Sequence, residues 1–132
     1  MPRPSKSYPT ELELEILKIH WSEGPLPVSA VRSALAEGPA KRRCAHTSVI
    51  TTLNTMVGKG YLNRRAQGKA YVYAAQAQEK TTKKRMLADL MHRAFDGSAS
   101  ALVLNLIETG GLDENELKRI RQAIDKSKES SK

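Results

Sequence analysis

Short hydroxyl and amide side chains, Thr47, Ser48, Thr51, Asn54 and Thr55, recur at helical spacing along residues 46–59, with Gly58 beside them and no carboxylate among them. A helix face turned to water ordinarily carries Glu and Lys. Small hydroxyls let a backbone come close to a polyanion while still hydrogen-bonding phosphates or base edges, and a Thr methyl can meet the thymine methyl. Cations flank this stretch: Lys41, Arg42 and Arg43 precede it, and Arg64, Arg65 and Lys69 follow. The chemistry is that of nucleic-acid recognition. Thr47, Ser48, Thr51 and Thr55 are expected to face a groove, with Lys41, Arg42 and Arg43 holding phosphates where the helix begins. Arg64, Arg65 and Lys69 are expected on the backbone or in the minor groove. The same pattern also fits a Thr-rich core helix with a solvated exterior, and each cation taken singly fits a solvated charge.

Other chemistries are poorly provided for. Cys44 and His46 are half of a metal site, but there is no second Cys, and His20 and His92 stand far away in the chain. No metal is expected. Redox sensing by Cys44, beside Arg43, is an equally poor candidate. There is no evident set of nucleophile, base and oxyanion donor and no Gly-rich phosphate loop, so neither catalysis nor a cofactor is expected.

With 132 residues the chain can bury one ordinary core with a smaller appendage. Its formal charge of +8 and pI near 9.8 favour a polyanionic partner. Residues 1–75 contribute +6 of that charge and residues 76–132 only +2, so the basic excess lies with the Thr-rich stretch. A single cysteine allows no internal disulfide, and no apolar run resembles a leader or a membrane span, which points to the cytoplasm.

The elements that must position these side chains follow from periodicity. Residues 1–9, with three prolines and two cations, read as a disordered arm. Thr10 and Glu13 form a capping box opening a helix to about His20, apolar on more than half its circumference, with Trp21 as a core anchor. Gly24-Pro25-Leu26-Pro27 breaks it, and Val28, Val31 and Leu35 mark a short second helix ended by Gly38-Pro39. Val49, Ile50, Leu53, Met56 and Val57 form the inward stripe of the Thr-rich helix. Two strand-like runs, 61–65 and 70–74, surround Ala66-Gln67-Gly68-Lys69 as a hairpin. Three helices and a hairpin in this order predict a winged helix-turn-helix over residues 10–75.

From residue 76 to 127 the pattern is helical throughout. Met86, Leu87, Leu90, Met91 and Phe95 form one stripe; Leu102, Leu104, Leu106 and Ile107 lie in a helix from Ala101 to Glu108; Leu117, Ile120 and Ile124 follow an Asp113/Glu116 capping box. Residues 128–132 are expected to fray. So few residues cannot enclose so apolar a set within one chain, and pairing with a second copy is expected. Folding back on the N-terminal half is the alternative. The fold class is therefore mainly α with a small β-hairpin wing, an N-terminal winged helix-turn-helix followed by a C-terminal helical dimerisation region.

Five stretches together resemble the BlaI/MecI penicillinase-repressor family: Glu11 to Trp21, Val28 to Leu35, Thr47 to Leu53, Lys59 to Leu62, and Ser100 to Glu108. The resemblance runs from about residue 9 to 125. It implies a homodimeric repressor whose winged helix binds a palindromic operator in double-stranded DNA and whose C-terminal helices form the dimer. It further implies induction by a membrane sensor metalloprotease that triggers cutting of the dimerisation region. The family's cleaved Asn-Phe bond falls on Asn105-Leu106, with Leu in place of Phe. A copper-responsive branch carries C-terminal cysteine pairs, which this chain lacks. A reading from another class is a winged-helix protein-interaction or RNA-binding module whose basic face is incidental.

Overall fold

The computed structural model describes residues 9–130. The expected arm lies outside the described residues apart from Pro9, which is buried. Helix α1 (Glu11–Glu23) opens with the anticipated capping box. Thr10 Oγ1 accepts from the Glu13 N–H at 3.3 Å, and Glu13 Oε1 accepts from the Thr10 N–H at 2.8 Å. Its buried stripe is Glu13, Ile16, Leu17 and His20, so two polar residues occupy the innermost line. Trp21 is thereby turned to the margin of the core. Instead of anchoring the centre, it donates from Nε1 to the Ala77 carbonyl at 2.9 Å and fastens α1 to the chain leaving the hairpin.

Gly24 ends α1 at φ +84, in the region that favours glycine. The following segment does more than break the helix. Leu26–Pro27 is a short strand, β1, whose partners are Tyr73 and Val72. Proline has no N–H to donate, which suits an edge position. Helix α2 (Val28–Glu37) buries Val31 and Leu35, and α3 (His46–Lys59) buries Val49, Leu53 and Met56. Gly60, in the left-handed conformation, closes α3.

Strands β2 (Leu62–Gln67) and β3 (Ala70–Ala75) complete an antiparallel sheet in the order β1-β3-β2. Both run longer than their sequence pattern suggests, because Gln67 pairs with Ala70 and leaves only Gly68 and Lys69 as the turn. Gly68 has φ +63 and Lys69 does not share a positive φ, the requirement of a type II′ hairpin. Ile16, Leu17, Val31, Leu35, Val49, Leu53, Met56, Leu62 and Tyr73 form one core from all three helices and the sheet.

Two compact units result, one reaching to Leu87 and the other starting at Ala88, with the division inside α4 (Glu79–Phe95). Helix α4 starts later than expected; before it the N–H groups of Gln76 and Ala77 both bond the Tyr61 carbonyl, at 2.9 and 3.0 Å. In the second unit α5 (Ala99–Glu108) is capped by Ser98, whose hydroxyl accepts from the Ala101 N–H at 3.1 Å. Helix α6 (Glu114–Ser130) opens on the reciprocal Asp113/Glu116 bonds, at 3.2 and 2.8 Å. It runs on through Ser130; residues 131–132 lie outside the described residues.

His20 is 3% exposed. Its Nδ1 donates to the Gly24 carbonyl at 3.1 Å, and Nε2 has no partner among the described residues. Burial pushes the imidazole pKa below its ordinary 6.5, offset only in part by the Gly24 bond. The fold therefore favours the neutral ring. Stability from this group is complete above pH 6.5 and is lost as pH falls from there through the lower folded value. Thermal melts between pH 8 and pH 5 should show Tm falling below about pH 6.5, and His20→Asn, whose amide stands near the Nδ1 position, should flatten that fall. A parallel decline in both proteins would show that another group is responsible.

Candidate nucleic-acid interface

Thr47, Ser48, Thr51 and Thr55 all lie exposed on α3, opposite Val49, Leu53 and Met56. Thr51 Oγ1 donates back to the Thr47 carbonyl at 2.8 Å, and Thr52 Oγ1 to that of Ser48 at 2.9 Å. Thr51 thus presents its methyl and its oxygen lone pairs to the outside. Ala45 supplies no side-chain cap, so the first N–H groups of α3 have no intrahelical partner and form the positive end of the helix dipole.

The three cations before α3 do not act alike. Lys41 and Arg43 are exposed. Arg42 instead folds back onto α1, bonding Glu15 through Nε and standing 3.6 Å from Glu11 through Nη2. The Glu15 hydrogen bond raises its pKa further. Its backbone N–H also bonds the Leu35 carbonyl at 3.0 Å, while Arg32 Nε bonds the Cys44 carbonyl at 2.8 Å. In this geometry Arg42 sets the course of the loop, and its neighbours carry the exposed charge.

Arg64 and Arg65 are likewise separated, because successive strand residues point to opposite faces. Arg64 lies on the α3 side of the hairpin. There its Nη1 donates to Asn54 Oδ1 at 2.9 Å, and its guanidinium carbon sits 4.6 Å from the centroid of the Tyr71 ring. Tyr73 OH, from the same face, donates to the same oxygen at 2.8 Å. Arg65 lines the opposite face with Asn63, Gln67, Val72 and Pro27, around a shallow cleft of about 510 Å³. Lys69 stands exposed at the tip.

Sequence reasoning placed Asn54 on the polar side of α3 but missed that it joins helix to hairpin. The alternation of Arg64 with its cross-strand partner Tyr73 was the available signal. It also missed the pairing of buried Glu13 with exposed Lys59, with Oε2 and Nζ 2.8 Å apart. Among the described residues no group of three or more His, Cys, Asp or Glu is placed to hold a metal ion, and no helix is long and apolar enough to cross a membrane.

A three-helix domain with a β-hairpin beside a carboxylate-free, solvent-facing third helix is a winged helix-turn-helix of the DNA-binding class. The sequence pattern of the penicillinase repressor family matches residues 9–126, and the chain belongs to that family. It is 23% identical over 123 residues to the penicillinase repressor of Bacillus licheniformis, covering 93% of this chain and 94% of that one. Identity to the methicillin resistance regulatory protein MecI of Mammaliicoccus sciuri is 21% over 114 residues, covering 86% and 90%. A transcriptional regulator from Thermotoga maritima shares the fold, with a TM-score of 0.51 at 15% identity over 92% of this chain and 75% of that one. The protein is accordingly a DNA-binding transcriptional repressor, and its family is not an enzyme class.

Gly58 lies exposed on α3, and a Cβ there would meet nothing within 4 Å. Neither packing nor a positive φ requires glycine at this position. A helical glycine costs about 0.5–1 kcal/mol relative to alanine. Gly58→Ala should therefore raise Tm by a few degrees, roughly 2–6 °C, while weakening duplex binding if a backbone passes close by. Calorimetry and fluorescence anisotropy together check this; a stabilised variant with unchanged binding would place Gly58 outside the contact.

Proposed function

We propose that the protein acts in the cytoplasm as a homodimeric repressor that grips a palindromic operator with two copies of α3 and is released when its C-terminal helices are disrupted or cut. The observation carrying this reading is the pairing of one exposed, carboxylate-free helix with a second unit that has no interior. Among residues 88–129 none is buried. Leu90, Leu104, Leu106, Ile107 and Ile124 are exposed, as is Leu87 at the edge of the first unit. Met91, Phe95, Leu102, Leu117 and Ile120, with Met86 before them, are only half-buried. So much uncovered apolar surface on α4, α5 and α6 calls for a partner, and a second copy supplies a matching surface by twofold symmetry. Twofold pairing sets two recognition helices in successive major grooves, roughly 34 Å apart.

On this reading Thr47, Ser48, Thr51 and Thr55 meet base edges through several modest contacts, and Lys41, Arg43 and the first N–H groups of α3 hold phosphate. Arg65 and Lys69 bring the hairpin to the flanking backbone. The resemblance to inducible relatives supports relief by a membrane sensor metalloprotease. The Asn105–Leu106 bond lies in the last turn of α5, where the Asn105 carbonyl accepts from both the backbone N–H and the hydroxyl of Thr109, at 3.0 and 2.9 Å. Cutting there needs α5 to unwind first.

Selection from random duplexes, followed by footprinting, should return a site with dyad symmetry, and sedimentation should show two chains at the concentrations where DNA is bound. An asymmetric site, or a preference for single strands, would favour an RNA-binding or protein-interaction module instead. Arg43→Ala should weaken all duplexes alike and lower the slope of log K against log salt by roughly one unit. Thr51→Ala should lose preference for the selected site while keeping nonspecific affinity; equal losses would show that Thr51 does not read bases.

A further inference from the structure

The junction between α3 and the hairpin holds an arrangement that neither element explains alone. Arginine has no acceptor atoms, so the Asn54 atom facing Arg64 is its carbonyl oxygen, and the Tyr73 hydroxyl is the second donor to that same oxygen. Both ordinary lone-pair sites of Oδ1 are thus used by the hairpin. Tyr73 is 2% exposed and belongs to the core, whereas Arg64 is exposed and lies against Tyr71, itself 46% exposed. One hydrogen bond therefore ties α3 to the buried base of the hairpin, and the other holds a charged group at the surface. Asn54 directly precedes Thr55 on α3, so the guanidinium is held beside the helix's outward face. A free arginine of this length would lose substantial rotamer freedom on meeting DNA. Here much of that freedom is already gone before any ligand arrives.

We propose that Asn54 is a positioning residue for DNA selectivity: it aims Arg64 at the duplex from the edge of α3, so that helix and hairpin read a single site as one rigid surface. The inference rests on α3 and the hairpin forming the DNA face. Arg64 supplies the contact, and Asn54 acts through it. The Tyr71 ring lies against the guanidinium, and Tyr73 holds Asn54 itself in place. Lysine at position 64 retains the charge but neither the planar stacking nor the forked donors.

The test uses the full-length protein and a dyad duplex selected by the wild type from a random pool, with scrambled duplex as competitor. Asn54→Ala and Arg64→Ala should each weaken the selected duplex by about tenfold, the equivalent of one charge-assisted hydrogen bond, and the double variant should be no weaker than Arg64→Ala alone. Arg64→Lys should match Arg64→Ala on the selected duplex while binding scrambled duplex as wild type does. Asn54→Ala should leave scrambled-duplex affinity unchanged, a result that mere loss of folded protein cannot give. Tyr73→Phe, which removes the donor that holds Asn54, should lower Tm and move selectivity part of the way toward that of Asn54→Ala. Additive losses in the double variant, an Arg64→Lys variant that binds like wild type, or an Asn54→Ala loss equal on both duplexes would overturn the proposal while leaving the DNA face intact. Wild-type protein that binds no duplex would overturn the DNA face and this inference together.

Discussion

A single carboxylate at the foot of α1 fixes the far end of α3. Glu13 closes its own helix through Thr10 with one oxygen and receives Lys59, the last residue of α3, with the other. Its side chain is 5% exposed, and burial by itself raises its pKa. The hydrogen bonds and charge of Lys59, together with those of Thr10, outweigh that effect and bring the pKa below 4.5. The two partners are unequal: Lys59 is 39% exposed and can turn to water if the pair breaks, but Glu13 cannot. The geometry of α3 thus depends on a charge that has nowhere else to go. Lys59 also adjoins Tyr61, whose carbonyl receives the two N–H groups that follow the hairpin. From this one ion pair the constraint passes through α3 to the base of the sheet.

What was legible in the residues was whatever a repeating pattern or a local bond encodes. Helix α3 was readable because Val49, Leu53 and Met56 recur at helical spacing between a basic loop and Gly60, and two helix starts were readable from the Thr10/Glu13 and Asp113/Glu116 boxes. The inner stripe of α1 was not, because Glu13 and His20 occupy positions that a hydrophobic count assigns outward. Their burial depends on a lysine 46 positions away in one case and on a glycine carbonyl in the other. Strand β1 was hidden for a similar reason. Two residues carry no period, and only the neighbouring edge of β3 makes Leu26 and Pro27 a strand.

The candidate site was legible in composition and not in geometry. Clustered cations looked equivalent, yet Arg42 is engaged by Glu15, and Arg64 and Arg65 project from opposite faces. Charge counting treats a cluster as a sum, whereas folding sorts its members by which of them find a local acceptor. The same sorting distinguishes the two units. Among the described residues, the first encloses nine apolar side chains drawn from three helices and two strands, and the second encloses none. Its helices are set by caps and periodicity alone, so the sequence foretold their existence well and their bounds less well.

The two-residue turn at Gly68 and Lys69 has a bearing on how such proteins can diverge. Lengthening the hairpin beyond Gln67 by one residue in each strand extends its reach and leaves every earlier side chain on its own face. Inserting a single residue between Leu62 and Arg64 would exchange the faces of β2, swinging Arg64 away from Asn54 while Tyr71 and Tyr73 keep their places on β3. Evolution is therefore free to tune the tip by increments, while the first few positions of the hairpin are bound by parity.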